Sequence, residues 1–265
     1  MPLSQEQFKP LAKRAANNYA KKIKLEKPLA TKMKSVFRNI NKEIAKNGSA
    51  HLEAHRANLE KILNEHHIKT AKAFSNNLRN IVGNPSNNKI VQRKLDANIK
   101  AFAAQRSHMM SHQIMDTTRK NLEKASKDAH VTAALSPKKV SHQQIAKLTS
   151  ENFKNKVEYR PVLISITETQ AAAESGKALE YDTMVDLDSD VGGRLVSDMV
   201  KKKAWIAILD DHTRFDHADA DGQEVDKSEP FEVGGDELMY PGDDSLGAGE
   251  DQLCNCRCSC EDVIE

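Results

Sequence analysis

Cysteine is missing from the first 253 residues, aromatic side chains are sparse (one Trp, four Tyr, seven Phe), and no apolar run approaches the length of a membrane span. The last absence excludes a bilayer-crossing helix, which needs about 18–20 apolar residues. The N-terminus also lacks the apolar core of a signal peptide, so synthesis in the cytoplasm with reduced thiols is expected. With 38% hydrophobic residues, 5% aromatic and a mean hydropathy of −0.65, thin amphipathic helices are favoured over one thick core. A Walker-type phosphate loop, a Gly-x-Ser-x-Gly elbow and the His-x-Glu…Pro-Cys-x-x-Cys deaminase pattern are all absent, and no enzyme is expected.

Charge is abundant but unevenly placed. Residues 1–160 hold 32 Lys+Arg against 12 Asp+Glu, and residues 161–265 hold 8 against 26, so the net charge of +2 conceals a polar chain. A basic half suits double-stranded DNA, held through salt-sensitive phosphate contacts. The competing reading is a helical surface facing acidic protein, this chain's own C-terminal part included.

Periodicity makes the basic half helical. Ser4-Gln5-Glu6-Gln7 has the capping-box form and opens a helix towards Leu25, with Pro28 ending or restarting it. Met33, Phe37, Ile40 and Ile44 form the stripe of a second helix that stops at Asn47-Gly48. Ser49 caps a third, carrying Leu52, Leu59, Leu63, Phe74 and Leu78 up to Gly83-Asn84-Pro85, and a fourth runs from about Asn87 to Ala134. Ser141…Gln144 repeats the capping box. Val162, Ile166 and Ala173 then lie on a helix ending at Gly176 as a left-handed C-cap. His108 and His112 stand at i, i+4 without the Glu of a zinc-binding H-E-x-x-H, and are not expected to be ligands. The fold class is α+β: residues 1–150 a basic α-helical arm or bundle, residues 151–265 a small mixed α/β module with a Cys-rich end. Residues 177–203 leave room for an insertion or a lid.

Chemistry gathers between Trp205 and Cys260. Ala204–Leu209 is too short for a helix and reads as a buried strand. It passes into Asp210-Asp211-His212-Thr213-Arg214-Phe215-Asp216-His217, and the segment closes on Cys254-Asn255-Cys256-Arg257-Cys258-Ser259-Cys260. In an extended chain all four thiols point the same way across ~20 Å, too far to share one zinc with bonds of ~2.3 Å. Neighbours at i, i+2 can share a metal when another ligand comes from elsewhere. His217 is the best candidate, with His212 or Asp211 behind it; small buried thiols packed on Trp205 are the alternative. His217-x-Asp219-x-Asp221-Gly222 resembles the middle of a calcium loop, but Ser228 stands where a bidentate Glu is needed, and a turn is the simpler reading. Asp210, Asp211, His212 and His217 also supply the residue types of a metal-dependent nuclease or hydrolase, the alternative function.

The ordered set Trp205…Asp211-x-Thr213-Arg214-x-x-His217…Asp221-Gly222-Gln223…Phe231…Tyr240-Pro241-Gly242-Asp243…Asn255-Cys256-Arg257-Cys258 resembles the phage Mu F-like family of minor head proteins, also called head morphogenesis proteins. Arg160…Ile164-x-x-Thr167-Glu168-Thr169…Gly176 is similar to the helix preceding that module in the family. The resemblance covers roughly residues 150–262. It implies a minor structural protein of a tailed-phage head, acting in head morphogenesis at the portal and in DNA packaging or delivery. Portal and other head proteins would be its partners, and the virion (head interior or portal region) its destination after the host cytoplasm. It points to Cys256 and Cys258, with His217 and the adjacent Cys254, as a structural zinc clip; a disulfide formed after the particle leaves the cell is the alternative. For the family-pattern residues Arg160, Glu168, Trp205, Asp211, Arg214, Gly222, Pro241, Asn255 and Arg257 a structural role is expected, with a buried Arg–Glu or Arg–Asp pair covered by Trp205. Some members carry a further catalytic domain after the module; with so little chain after Cys260, none is expected here.

Overall fold

A computed structural model describes residues 4–264. The basic sequence folds as α1 (Gln5–Asn47), α2 (Leu52–Phe74), α3 (Arg79–Val82), α4 (Asn88–Ala134), α5 (His142–Glu158) and α6 (Arg160–Val185). Both capping boxes form. Ser4 Oγ accepts the Gln7 N–H at 3.3 Å while Gln7 Oε1 accepts the Ser4 N–H at 3.1 Å, and Ser141 with Gln144 repeats the pair at 3.3 and 2.8 Å. Each box satisfies donors that a first helical turn leaves open.

Pro28 neither ends nor restarts α1, which continues to Asn47; there Gly48 takes φ 78° and its N–H bonds to Ile44 O at 2.8 Å. A proline removes one intrahelical donor, whereas the stripe beyond it buries Leu29, Met33, Phe37, Ile40 and Ile44 in one core with Leu59, Leu63, Ile114 and Phe153. Burial at about 1.5–3 kcal/mol per large apolar side chain outweighs the proline's cost of about 3 kcal/mol. α2 starts after His51, whose N–H is taken by Glu43 at 3.0 Å, rather than at a Ser49 cap. It ends at Phe74, well before Gly83, because the Leu78 N–H and Arg79 Nε both turn to the buried Glu180 carboxylate at 2.8 Å.

Beyond α6 come β1 (Asp190–Val191), β2 (Arg194–Leu195), α7 (Val196–Met199), β3 (Lys202–Ile206), α8 (Phe215–Asp219), β4 (Glu224–Asp226), β5 (Phe231–Val233), β6 (Asp236–Leu238), α9 (Glu250–Leu253) and β7 (Ser259–Val263). Residues 177–203 thus complete α6, form the β1–β2 hairpin and α7, and enter β3. The strand expected over Ala204–Leu209 starts instead at Lys202 and ends at Ile206, with Leu209 exposed beyond it; it is the central one of an antiparallel sheet ordered β4-β3-β7, with Trp205 opposite Cys260 and Ile206 opposite Ser259. Both of its faces are covered, which is why the run is apolar throughout instead of alternating. Ala204 and Ile206 pack on Leu11 and Ala15 of α1; Trp205 and Ala207 pack on Phe231, Val233 and Leu238. The protein is α+β, with the cysteines at the end of the strand-bearing part.

Two compact units divide the chain, neither following the expected boundary between residues 150 and 151, which falls inside α5. One comprises Lys27–His66 and Ala103–Ser165 and contains the helical core just described. The other comprises the described parts of Met1–Glu26, His67–Phe102 and Ile166–Glu265. The start of α1 belongs to it because Leu11 and Ala15 cover β3, and because Arg14 and Lys22 pair with Glu261 and Glu174 at 3.2 and 2.6 Å. Part of the basic half therefore faces the chain's own acidic residues, the second of the two readings of its charge.

α6 also passes its expected stop. Gly176 is helical, and a Cβ there would lie 2.4 Å from Ala71 O and 2.8 Å from Ala71 Cα. Glycine here permits the close approach of α2 and α6 rather than a left-handed cap. Gly176→Ala is expected to destabilise the protein by roughly 1–3 kcal/mol, as overpacking does, although alanine is the better helix former by about 1 kcal/mol. Denaturant unfolding checks it, and an unchanged or raised midpoint would refute the close-approach role.

Candidate metal centre

β3, α8 and the segment joining α9 to β7 bring three soft ligand atoms together. Trp205 is fully buried and stands edge-on to both His217 (centroids 5.5 Å, 76°) and Phe231 (5.4 Å, 73°). After α9, Asn255 adopts φ 59° and breaks the extended course. The one-sided row of four thiols consequently does not form. Cys254 remains exposed, while Cys256 and Cys258 are buried. Cys260 lies in β7 and lines a separate cavity of about 160 Å³ with Lys177, Lys203 and Lys227, where burial pushes its thiol up to about 11.

His217 Nδ1 lies 3.4 Å from Cys258 Sγ and 3.5 Å from Cys256 Sγ, and the three ligand atoms all fall within 4.8 Å of one another. A tetrahedral zinc with bonds of ~2.05 Å to nitrogen and ~2.3 Å to sulfur separates N from S by ~3.5 Å. The observed spacing is that of a ligand set. The far side of the ring agrees: His217 Nε2 stands 3.1 Å from Gln252 Oε1, and Gln252 Nε2 donates to Asp216 Oδ2 at 3.3 Å. An acceptor at Nε2 places the ring proton there and leaves the Nδ1 lone pair facing the sulfurs, the arrangement by which outer partners orient a metal-binding imidazole.

The thiols are electrostatically unequal. A hydrogen bond from Cys258, supported by His217, holds the Cys256 thiol well below its usual value against the opposing effect of burial. Cys258 is pushed well above its usual value by the same shared hydrogen bond and by burial. Metal binding would take both sulfurs as thiolates and release the protons they carry. Among the described residues the buried Trp205 Nε1–H has no acceptor at good hydrogen-bond geometry, and Cys258 is the thiol it faces. A metal thiolate at Cys258 would give that indole an anionic neighbour, so the donor set and its surroundings fit a divalent metal. Cys254 stands outside the set, although it was expected beside the pair: the Arg214 guanidinium donates to its carbonyl, and its side chain is exposed.

The other expected residues build the frame. Arg257 donates to Asp210 Oδ2 at 2.7 Å, and Asp210 Oδ1 accepts the His212 N–H at 2.9 Å, fixing the loop ahead of α8. Gly222, at φ 79°, donates to Trp205 O at 2.8 Å, and Asp221 Oδ1 accepts the Ala207 N–H at 2.8 Å; this is the turn, not a calcium loop. Pro241 O accepts from Gln170 at 3.2 Å, and the Asn255 N–H goes to Thr167 Oγ1 at 3.1 Å. Glu168 meets His67 Nε2 at 2.9 Å. Arg160 donates to Thr118 Oγ1 and Ile114 O at 2.7 and 3.1 Å, and burial pushes it down to about 10. The Trp205 indole covers His217, and Arg257 forms a part-exposed ion pair with Asp210. Asp211 is exposed and does not line the cluster's cavity; His212 is exposed but lines that cavity. Sequence reasoning missed Gln252 and Gln170, isolated polar residues whose targets lie far along the chain.

No family model matches the chain, and no solved structure matches it. The NAD(+)--arginine ADP-ribosyltransferase EFV of Enterococcus faecalis (strain ATCC 700802 / V583) is 38% identical over 64 residues. That stretch is 24% of this chain and 12% of the relative's length. So short a match carries neither a family nor an activity over to this protein.

Proposed function

We propose that this chain is a minor structural protein of a tailed-phage head, acting in head morphogenesis at the portal and in DNA packaging or delivery. Its C-terminal part serves as a docking frame fastened by a zinc on His217, Cys256 and Cys258. The observation that supports this reading best is how the residues of the Mu F-like pattern are used. Trp205, Arg214, Gly222, Pro241, Asn255 and Arg257 each make internal contacts around one small core. Double-stranded DNA is the partner proposed for the helical unit of Lys27–His66 and Ala103–Ser165, whose sequence carries 19 Lys+Arg against 9 Asp+Glu. Portal and head proteins are the partners proposed for the frame, and the virion its destination.

Particles made with the cognate head genes test the reading. Wild-type chain should co-purify with particles on a gradient. Asp211→Asn combined with His212→Gln should be incorporated equally and leave infectivity unchanged, since exposed polar changes usually stay within about 0.5 kcal/mol. Normal incorporation with lost infectivity would favour the metal-dependent hydrolase; absence of the wild-type chain from particles would sink the head-protein reading.

A further inference from the structure

We propose that the metal held by His217, Cys256 and Cys258 keeps a fourth, solvent-exchangeable coordination position, and that Asn255 Oδ1 orients the small ligand occupying it. This rests on the zinc reading above and adds what the site can bind. Three corners of a tetrahedron are supplied at the correct spacing by the chain, and among the described residues no fourth His, Cys, Asp or Glu joins them. The fourth corner has somewhere to point. A small cavity, about 10 Å³, is lined by the three ligands together with Asp210, His212, Arg214, Asn255 and Arg257. That is room for one water.

A second observation, independent of the ligand spacing, points to an occupant. Asn255 lines this cavity, and its Oδ1 is buried with no hydrogen-bond donor. Its main chain is held in place: the backbone is left-handed, and the N–H is fixed by Thr167 Oγ1. A buried carbonyl oxygen in a polar cavity calls for a donor, and a water on the fourth corner is one. The neighbouring groups are otherwise engaged. Asp210 is held by Arg257 Nη1, Thr213 Oγ1 and the His212 N–H. Arg214 and Arg257 are cations that cannot ligate a metal, and they favour a neutral or anionic occupant. His212 is the remaining imidazole at the mouth; its exposure and the fit of a single water favour solvent over it as the fourth ligand. Three protein ligands with an open position distinguish a ligand-exchanging zinc from a closed, four-ligand structural one.

Cobalt(II) substitution in the reduced full-length chain reads this out. One equivalent should give thiolate charge transfer and the intense visible bands of a four-coordinate site. Azide should shift the visible bands without removing cobalt. Azide cannot donate to Asn255 Oδ1 as water does, so Asn255→Gly, which keeps the left-handed backbone, should strengthen azide binding by about 2- to 10-fold, the worth of one hydrogen bond. His212→Ala should leave the azide-free spectrum unchanged. Cobalt bands indifferent to azide would overturn the exchangeable position while leaving the metal site standing. A changed spectrum with newly acquired azide sensitivity in His212→Ala would overturn it in favour of His212 as the fourth ligand. Unaltered azide affinity in Asn255→Gly would overturn the role of Asn255, and failure to take up cobalt or zinc at all would overturn the metal reading and this inference together.

Discussion

Removing the metal should lower the melting temperature by roughly 8–16 °C, with about one zinc per chain recovered from the untreated, untagged protein. The magnitude follows from linkage. Free zinc at about 1,000 times its dissociation constant stabilises the folded state by about 4 kcal/mol, and for a chain of this size each kcal/mol is worth about 2–4 °C. All three ligand side chains are nearly inaccessible to solvent, so metal loss leaves two thiols and an imidazole poorly solvated. Chelator and the Cys256→Ser/Cys258→Ser double variant should produce the same loss, and the melting temperature should climb with the logarithm of free zinc. Elemental analysis finding under about a tenth of an equivalent, or melting curves indifferent to chelator, would leave the cluster as packed thiols against Trp205, since binding free energy is folding free energy only where metal is bound.

The extent to which this site was legible in the sequence depends on how local its determinants are. Two thiols at i, i+2 and an imidazole after a strand are chemistry on short segments, and Cys256, Cys258 and His217 do meet. Cys254 fails because one left-handed residue, Asn255, redirects the chain, and alternation of side chains holds only while the backbone stays extended. The capping boxes and the strand at Ala204 were legible for the same reason: each is decided within a few residues. Pro28 and Gly176 misled because their usual local meaning is overridden by packing, in one case by the stripe from Met33 to Ile44 and in the other by the α2 backbone at Ala71. The boundary expected near residue 150 rested on a charge split. Charges of opposite sign at distant positions attract one another, and Arg14, Lys22 and Arg79 are drawn to Glu261, Glu174 and Glu180. Composition read along the chain cannot register that pairing.

Replacing Glu261 with glutamine should cost about 3–5 kcal/mol at neutral pH, the usual consequence of removing one member of a buried ion cluster. Glu261 is fully buried in β7 and receives Asn18 Nδ2 at 2.9 Å, Arg14 Nε at 3.2 Å, Ser259 Oγ at 2.7 Å and Lys177 Nζ at 3.4 Å. Glu174 completes the cluster, pairing with Lys22 at 2.6 Å and Lys177 at 2.7 Å. Three cations therefore face two carboxylates, and the variant leaves them facing one. The damage extends to the metal centre, because Lys22 and Gln170 both donate to Cys258 O, at 3.1 and 2.8 Å. pH separates this electrostatic role from mere packing. Burial opposes the charge on Glu261, but Lys177, Ser259, Arg14 and Asn18 outweigh it and hold the carboxyl below its usual range. A depressed folded-state value means that the unfolded chain takes up the proton first. The contribution is then complete above the ordinary glutamate value of about 4.3 and is lost as pH falls towards the folded one. Denaturant unfolding of both proteins should show a wide gap at pH 7 that narrows progressively below about pH 4.3. A gap that stays constant across that range would mean that shape, and not charge, is what Glu261 supplies.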